Sequence, residues 1–130
     1  MNLRVSFIFL FLLTACRDDE SVRAYGAADK KWRLIELAEK PFDASATLTF
    51  PETGRISGTA PCNTYSGAMT VPYPWFEVGP IAATKRACPD LASEAAFFSA
   101  LKAVPLSEVL DDTLILSNTD GLKMVFTAGG

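Results

Sequence analysis

The folded part of this chain contains two cysteines whose thiols can react. Cys62 lies in the segment APCNTYSG, and Cys88 lies in the segment TKRACP. A chain that carries a secretion signal enters an oxidising compartment, where two such thiols are expected to join. We therefore predict a Cys62–Cys88 disulfide. In the chain-entropy model, closing a loop of roughly 26 residues stabilises the fold by about 3 kcal/mol.

The leader is the evidence for secretion. Residues 1–15 read MNLRVSFIFLFLLTA, with Arg4 ahead of an apolar run from Val5 to Leu13. Because this run is too short to span a bilayer as a mature helix, we predict a signal peptide. The sequence LTAC resembles the bacterial lipobox, in which the cysteine is acylated and becomes the first residue. Cys16 holds that position, so we predict a lipoprotein anchored by fatty acyl chains such as palmitate. An ordinary signal followed by a free cysteine is the alternative.

The residues after the cysteine predict a spacer. Residues 16–31 are polar, with few large apolar groups, which is typical of a flexible tether. Such a tether would hold the domain about 20 Å from the membrane. In bacterial lipoproteins, aspartate directly after the acylated cysteine favours the inner membrane. Arg17 stands there instead, so we expect a place in the cell envelope, facing the periplasm, with the outer membrane favoured.

Composition excludes several kinds of site. The formal net charge is −3 and no lysine–arginine cluster is present, which argues against nucleic-acid binding. The chain has no histidine, and so lacks the commonest general base and the commonest zinc ligand. We expect no catalytic site, no metal and no cofactor. The carboxylates left for acid–base chemistry are Glu77, Asp90, Glu94 and Glu108. The placing of Asp90 and Glu94 is already explained by the preference of helix N-termini for acidic residues.

Residues 32–127 are predicted to form one small domain, mostly of strands. Alternating apolar side chains and turn residues define the strands. The predicted strands are 32–37, 46–50, 55–60, 65–71, 107–110, 113–117 and 122–127. Gly58 inside one of them indicates a bulge or a close backbone approach. The Asp-Gly pair at the end of residues 118–121 is typical of a hairpin turn.

A single helix is predicted from Asp90 onward, with Asp90 or Ser93 as its cap, and it is closed by Pro105. Its apolar residues fall at helical spacing and should pack on the sheet. They are Leu91, Phe97, Phe98, Leu101 and Val104.

The segment VPYPWFEVGP, residues 71–80, concentrates prolines and aromatic residues. Tyr73, Trp75 and Phe76 are therefore candidates for an exposed contact patch. Packing into the core or its rim is the alternative for each.

Several landmarks in order resemble one family, the META domain, also called the HslJ-like domain, of bacterial envelope proteins. They are WRL, SGTAPCNTYSG, GPIAATKRACP, SEAAFFSAL and DDTLILSNTDGLKMVF, and they span Trp32 to Phe126. Pro61 stands where the family usually has glycine. The resemblance implies an α+β fold that is mostly β: a curved, antiparallel, barrel-like sheet with one packed helix.

The resemblance also bears on function. Family members are linked to the heat-shock response, motility and novobiocin resistance, and no enzymatic activity is generally assigned to them. The matching residues are implied to be structural landmarks. They are Cys62, Asn63, Tyr65, Gly67, Thr84, Cys88, Pro89 and Glu94.

We therefore expect a monomeric, lipid-anchored, non-catalytic envelope domain. It would contact an envelope protein, or support tolerance of stress and antibiotics. The alternative is a domain that binds a small apolar ligand in or against the curved sheet, which requires a pocket of a few hundred cubic ångströms.

Overall fold

The computed structural model describes residues 19–129. The predicted signal peptide and Cys16 lie outside them. In chain order the elements are a 3₁₀ turn Val22–Tyr25, β1 Trp32–Leu37, β2 Lys40–Pro41, β3 Thr47–Leu48, β4 Arg55–Thr59, β5 Thr64–Ala68, β6 Ala82–Ala83, α1 Leu91–Lys102, β7 Leu106–Leu110, β8 Thr113–Ser117 and β9 Lys123–Ala128.

The strands form two antiparallel sheets. Six strands make the larger sheet, in the order β2-β1-β9-β8-β7 with β3 also paired to β1. The smaller sheet has the order β4-β5-β6. A bridge between Thr49 and Ser57 links the sheets, and a bridge between Trp75 and Leu106 adds an irregular segment beside β7. The predicted α+β, mostly β, antiparallel fold with one helix is confirmed, although the described strands do not close into a barrel.

Alternation explains why the long strands form. In β1, Trp32 and Leu34 are buried and Arg33 is exposed, as the sequence predicts. In β8 and β9 the buried residues again occur at every second position, and they include Leu114 and Phe126. Since successive side chains of a strand point to opposite faces, one face of this sheet forms the core.

The β3–β4 region matches the prediction in part. Residues 46–50 were expected to form a strand paired with residues 55–60, and Thr49 does exchange two backbone hydrogen bonds with Ser57. The strand itself is shorter than expected, because β3 is only Thr47–Leu48, and it pairs with β1. Gly58 explains how the chains come close here. A Cβ atom at Gly58 would collide with the carbonyl oxygen of Thr47 and lie 2.9 Å from the Tyr65 hydroxyl. The expected close backbone approach is present.

The predicted helix is α1, and its buried face includes Phe97 and Leu101. One detail of the prediction was wrong, because Leu91 is exposed instead of packed. Asp90 is the N-cap residue, as predicted, although its side chain makes no capping hydrogen bond. Phe98 is only partly buried against the core.

The predicted tether needs correction. Within residues 19–31, Val22 and Ala27 are fully buried in the core. The indole Nε1 of Trp32 donates to the Ala27 carbonyl oxygen at 3.1 Å, and Nε of Arg23 donates to the Phe50 carbonyl oxygen at 3.0 Å. This part of the chain therefore belongs to the domain. The segment is polar on average, and this composition concealed the two apolar residues that pack into the core.

Candidate functional site

The structure contains the predicted disulfide between Cys62 and Cys88, with their Cα atoms 5.5 Å apart. It joins the tip of the β4–β5 hairpin to the segment that leads into α1. We call this region, formed by Cys62, Asn63, Thr84, Arg86, Cys88 and Glu94, the disulfide end.

The hairpin tip shows how Pro61 is accommodated. The amide of Ala60 donates to the carbonyl oxygen of Asn63 at 2.7 Å, so Pro61 and Cys62 form a two-residue loop. Proline has no amide hydrogen, and this loop position requires none. The amide of Cys62 donates to Oε1 of Glu94 at 3.1 Å. The helix therefore supplies the acceptor that the loop lacks.

Asn63 is the centre of the hydrogen bonding at the disulfide end. Its Nδ2 donates to Oε2 of Glu94 at 2.7 Å and to the Arg86 carbonyl oxygen at 3.1 Å. Its Oδ1 accepts from the Thr84 hydroxyl at 2.9 Å and from the Arg86 amide at 2.6 Å. A side-chain amide offers two donors and two acceptor positions, and all of them are used within the chain.

Glu94 is 6% exposed and lies in the first turn of α1. The partial positive charge at a helix N-terminus favours a carboxylate there. Both of its oxygens accept hydrogen bonds from the hairpin tip. Glu77, Asp90 and Glu108 are exposed, and no hydrogen bond within residues 19–129 joins any two of these four carboxylates.

Tyr65 connects the small sheet to the large one. Its hydroxyl donates to the Thr47 carbonyl oxygen at 2.6 Å, and its ring lies edge-on to Phe97 and Phe98 at 5.6 and 5.4 Å. Burial raises the pKa of the Tyr65 phenol, because the charged form would lose its hydration. Tyr65 therefore remains a neutral donor.

The two remaining motif residues have different settings. Gly67 is buried in β5, and a Cβ atom there would lie 3.5 Å from the carbonyl oxygen of Pro80. Pro89 is exposed in the turn before α1. Neither residue contributes a polar side chain to a site.

The three residues of the predicted aromatic patch differ in their exposure. Phe76 is 1% exposed and belongs to the core, whereas Trp75 is 55% exposed. Tyr73 is half-buried, and its ring stacks on that of Tyr25 with centroids 4.7 Å apart. Tyr25 is itself 57% exposed. Trp75 follows Tyr73 by two residues in the same segment. We call Tyr25, Tyr73 and Trp75 together the aromatic face.

An open groove of about 460 Å³ lies beside Trp75. Most of its lining is apolar, with one positive and one negative side chain. The lining residues are Val71, Pro72, Trp75, Phe76, Glu77, Lys102, Ala103 and Pro105. The last three come from the end of α1 and the residues before β7. Sequence reasoning missed them, since no local pattern places them beside Trp75.

A second groove, of about 570 Å³, is more polar and includes Lys30, Lys31 and Arg33. Lys30 is engaged there, because its Nζ donates to the Asp111 carbonyl oxygen at 2.8 Å and lies 3.5 Å from Oδ1 of Asp112.

Across residues 19–129, no group of three or more cysteine or acidic side chains is arranged to hold a metal ion. In the same part of the chain, none of the helices is both long enough and apolar enough to cross a bilayer.

Comparison with known proteins identifies the family. A family model described as META domain matches residues 26–129. The chain belongs to the META domain family. The match begins before Trp32, in agreement with the packing of the preceding residues onto the domain.

Solved structures share the fold of this META domain. A protein from Burkholderia xenovorans, solved by NMR, is 21% identical with a TM-score of 0.67, covering 88% of this chain and 92% of that one. A DUF4847 family protein from Bacteroides vulgatus is 13% identical with a TM-score of 0.66, covering 82% and 96%. At these identities the likeness concerns the fold alone. A search of curated proteins finds no match.

Proposed function

We propose that this META domain is a lipid-anchored, non-catalytic module of the bacterial cell envelope that binds an apolar ligand in the groove beside Trp75. The observation that carries the proposal is the groove itself. Its volume of about 460 Å³ falls within the range of small-molecule sites.

The distribution of polar groups supports binding at this groove. At the disulfide end the polar atoms of Asn63 and Glu94 bond to one another and to the backbone, so they offer little to a ligand. The groove instead presents apolar surface, with Lys102 and Glu77 in its lining. Apolar walls with a few polar groups are typical of ligand sites. An amphiphilic compound fits this chemistry best.

Such a module suits the envelope roles that the family resemblance implies. A domain that takes up amphiphilic compounds near a membrane would lower their free concentration during stress or exposure to antibiotics. The lipobox-like LTAC sequence supports an anchor at Cys16, which would hold the groove close to that membrane.

Fluorescence titration tests the groove. The apolar probe N-phenyl-1-naphthylamine, whose fluorescence increases in apolar surroundings, is added to the wild-type protein and to Trp75→Ala. We expect saturable binding to the wild type and weaker binding to Trp75→Ala. Leu110→Ala is the matched control, because Leu110 is 60% exposed and does not line the groove. Equal binding to all three proteins would overturn the proposal.

A protein partner is the second candidate, and the exposure of Trp75 favours it. Tryptophan is enriched among the residues that dominate binding energy at protein interfaces. A photo-crosslinking amino acid at position 75 in living cells should then trap one envelope protein. Trapping of that protein equally well from position 110 would argue against a role of Trp75.

A further inference from the structure

The chain enters the domain beside the aromatic face. The amide of Tyr73 donates to the carbonyl oxygen of Glu20 at 2.7 Å. One residue earlier, the carboxylate of Asp19 accepts from the Ser21 amide at 3.0 Å and from Nη1 of Arg23 at 3.4 Å. From Asp19 onward the backbone is therefore held against the domain, next to Tyr73.

Covalent geometry limits how far Cys16 can be from this point. Three Cα–Cα steps separate Cys16 from Asp19, and at 3.8 Å each they reach at most about 11 Å. If Cys16 carries the lipid of the proposed function, on which this inference rests, a spacer of the predicted length does not exist. The surface around Asp19 and Tyr73 must then lie close to the membrane.

The chemistry of that surface suits a bilayer interface. Tyr25 and Trp75 are 57% and 55% exposed, and Tyr25 stacks on Tyr73. Tyrosine and tryptophan are enriched where lipid headgroups meet acyl chains, because their rings are apolar and their polar tips remain hydrated. The negative charge of Asp19 is offset by Arg23 at 3.4 Å. The groove lining adds one cation for lipid phosphate, Lys102, and one anion, Glu77.

We infer that the aromatic face rests in the interfacial layer of the membrane that holds Cys16, and that the groove beside Trp75 opens at this lipid surface. The ligand class of the groove is accordingly an amphiphile that partitions into the membrane. The helix α1 has 12 residues and is thus about 18 Å long. The disulfide end and the groove lie at opposite ends of this helix, so we expect the disulfide end to be farther from the lipid than the groove.

Tryptophan fluorescence in vesicles tests this orientation. The chain has two tryptophans, so Trp32→Phe leaves Trp75 as the reporter. The mature, lipidated protein is placed in vesicles of phosphatidylethanolamine and phosphatidylglycerol, with or without bromine on the acyl chains. We expect brominated lipid to quench the emission of Trp75, relative to unbrominated lipid.

A matched control places the reporter at the other end of α1. In the variant Trp32→Phe, Trp75→Phe, Leu91→Trp, the new tryptophan replaces a residue that is 45% exposed next to the disulfide end. We expect no quenching there. If Trp32→Phe prevents folding, the wild type and Trp75→Phe are compared instead, since buried Trp32 is common to both.

The possible failures are distinguishable. Mass spectrometry shows whether Cys16 carries lipid, and a chain without it contradicts the anchor in the proposed function. A lipidated chain whose Trp75 is no more quenched than the position-91 reporter overturns the orientation and leaves the anchor intact. Quenching of both reporters to the same extent also overturns it, because the domain then has no preferred face.

Discussion

The two ends of α1 have opposite characters. At its N-terminus, a disulfide and a buried carboxylate join the helix to a hairpin, and the polar atoms of Asn63 are all bonded within the chain. At its C-terminus, Lys102 and Ala103 border an open apolar groove with an exposed tryptophan. Most of the residues that match the family motif lie at the N-terminal end of α1. The motif therefore indicates contacts that stabilise the fold. The exposed apolar surface lies at the other end.

Removing the disulfide is expected to have the largest effect. The double substitution Cys62→Ala and Cys88→Ala should lower the free energy of unfolding by about 3 kcal/mol, because the unfolded chain regains the entropy of an open loop. Chemical denaturation measures this loss. Probe affinity of the protein that remains folded should not change. A fall in that affinity would show that the two ends are coupled.

Asn63→Leu is expected to lower the free energy of unfolding by about 2 kcal/mol, since Oε2 of Glu94 and the backbone of Arg86 lose the hydrogen bonds that the Asn63 side chain makes. Thr119→Ala is the control, because Thr119 is exposed in a turn. Urea denaturation of the three proteins measures the difference. Equal stabilities would mean that water replaces the lost hydrogen bonds and that the disulfide end is more accessible to water than the structure shows.

Trp75→Ala should weaken binding without a large change in stability. Because the side chain is 55% exposed, we expect a change in stability below about 0.5 kcal/mol. Its loss from the groove should weaken amphiphile binding about tenfold, which is about 1.4 kcal/mol. Thermal unfolding and probe titration on the same samples separate the two quantities. A large loss of stability would show that Trp75 is part of the core.

Asp19→Asn is expected to have the smallest effect. Partial burial pushes the pKa of Asp19 upward, but hydrogen bonds from Ser21 and Arg23 and the charge of Arg23 outweigh it, so the pKa lies below its usual 3.8. The stabilisation, about 0.5 kcal/mol for such a pair, is present above pH 3.8 and is lost as the pH falls through the lower folded-state pKa. Unfolding curves from pH 7 down to acid should therefore converge for the two proteins. A constant difference would contradict this.

Local patterns predicted much of the fold. The limits of β1 and β8 were read correctly from alternation, and the helix from its apolar spacing between Asp90 and Pro105. The first packed residues were missed, because Val22 and Ala27 are isolated apolar positions without periodicity. Their burial depends on partners much later in the chain.

The two ends of the molecule were unequally predictable. The resemblance drew attention to Cys62, Asn63 and Glu94, but their mutual hydrogen bonds join residues about 31 positions apart. The groove could not be assembled from the sequence, since Trp75 meets Lys102 and the residues before β7 only after the chain has folded. Local spacing in the sequence does not indicate such long-range contacts.

Gly58 has a consequence for how closely the two sheets approach each other. With hydrogen in place of a methyl group, the backbone of one sheet comes near enough to the other for the Tyr65 hydroxyl to reach the Thr47 carbonyl oxygen. An alanine at position 58 would push the two backbones apart, because its methyl group would overlap the Thr47 carbonyl group. Tyr65 would then lose its acceptor, and the two sheets would lose this hydrogen bond.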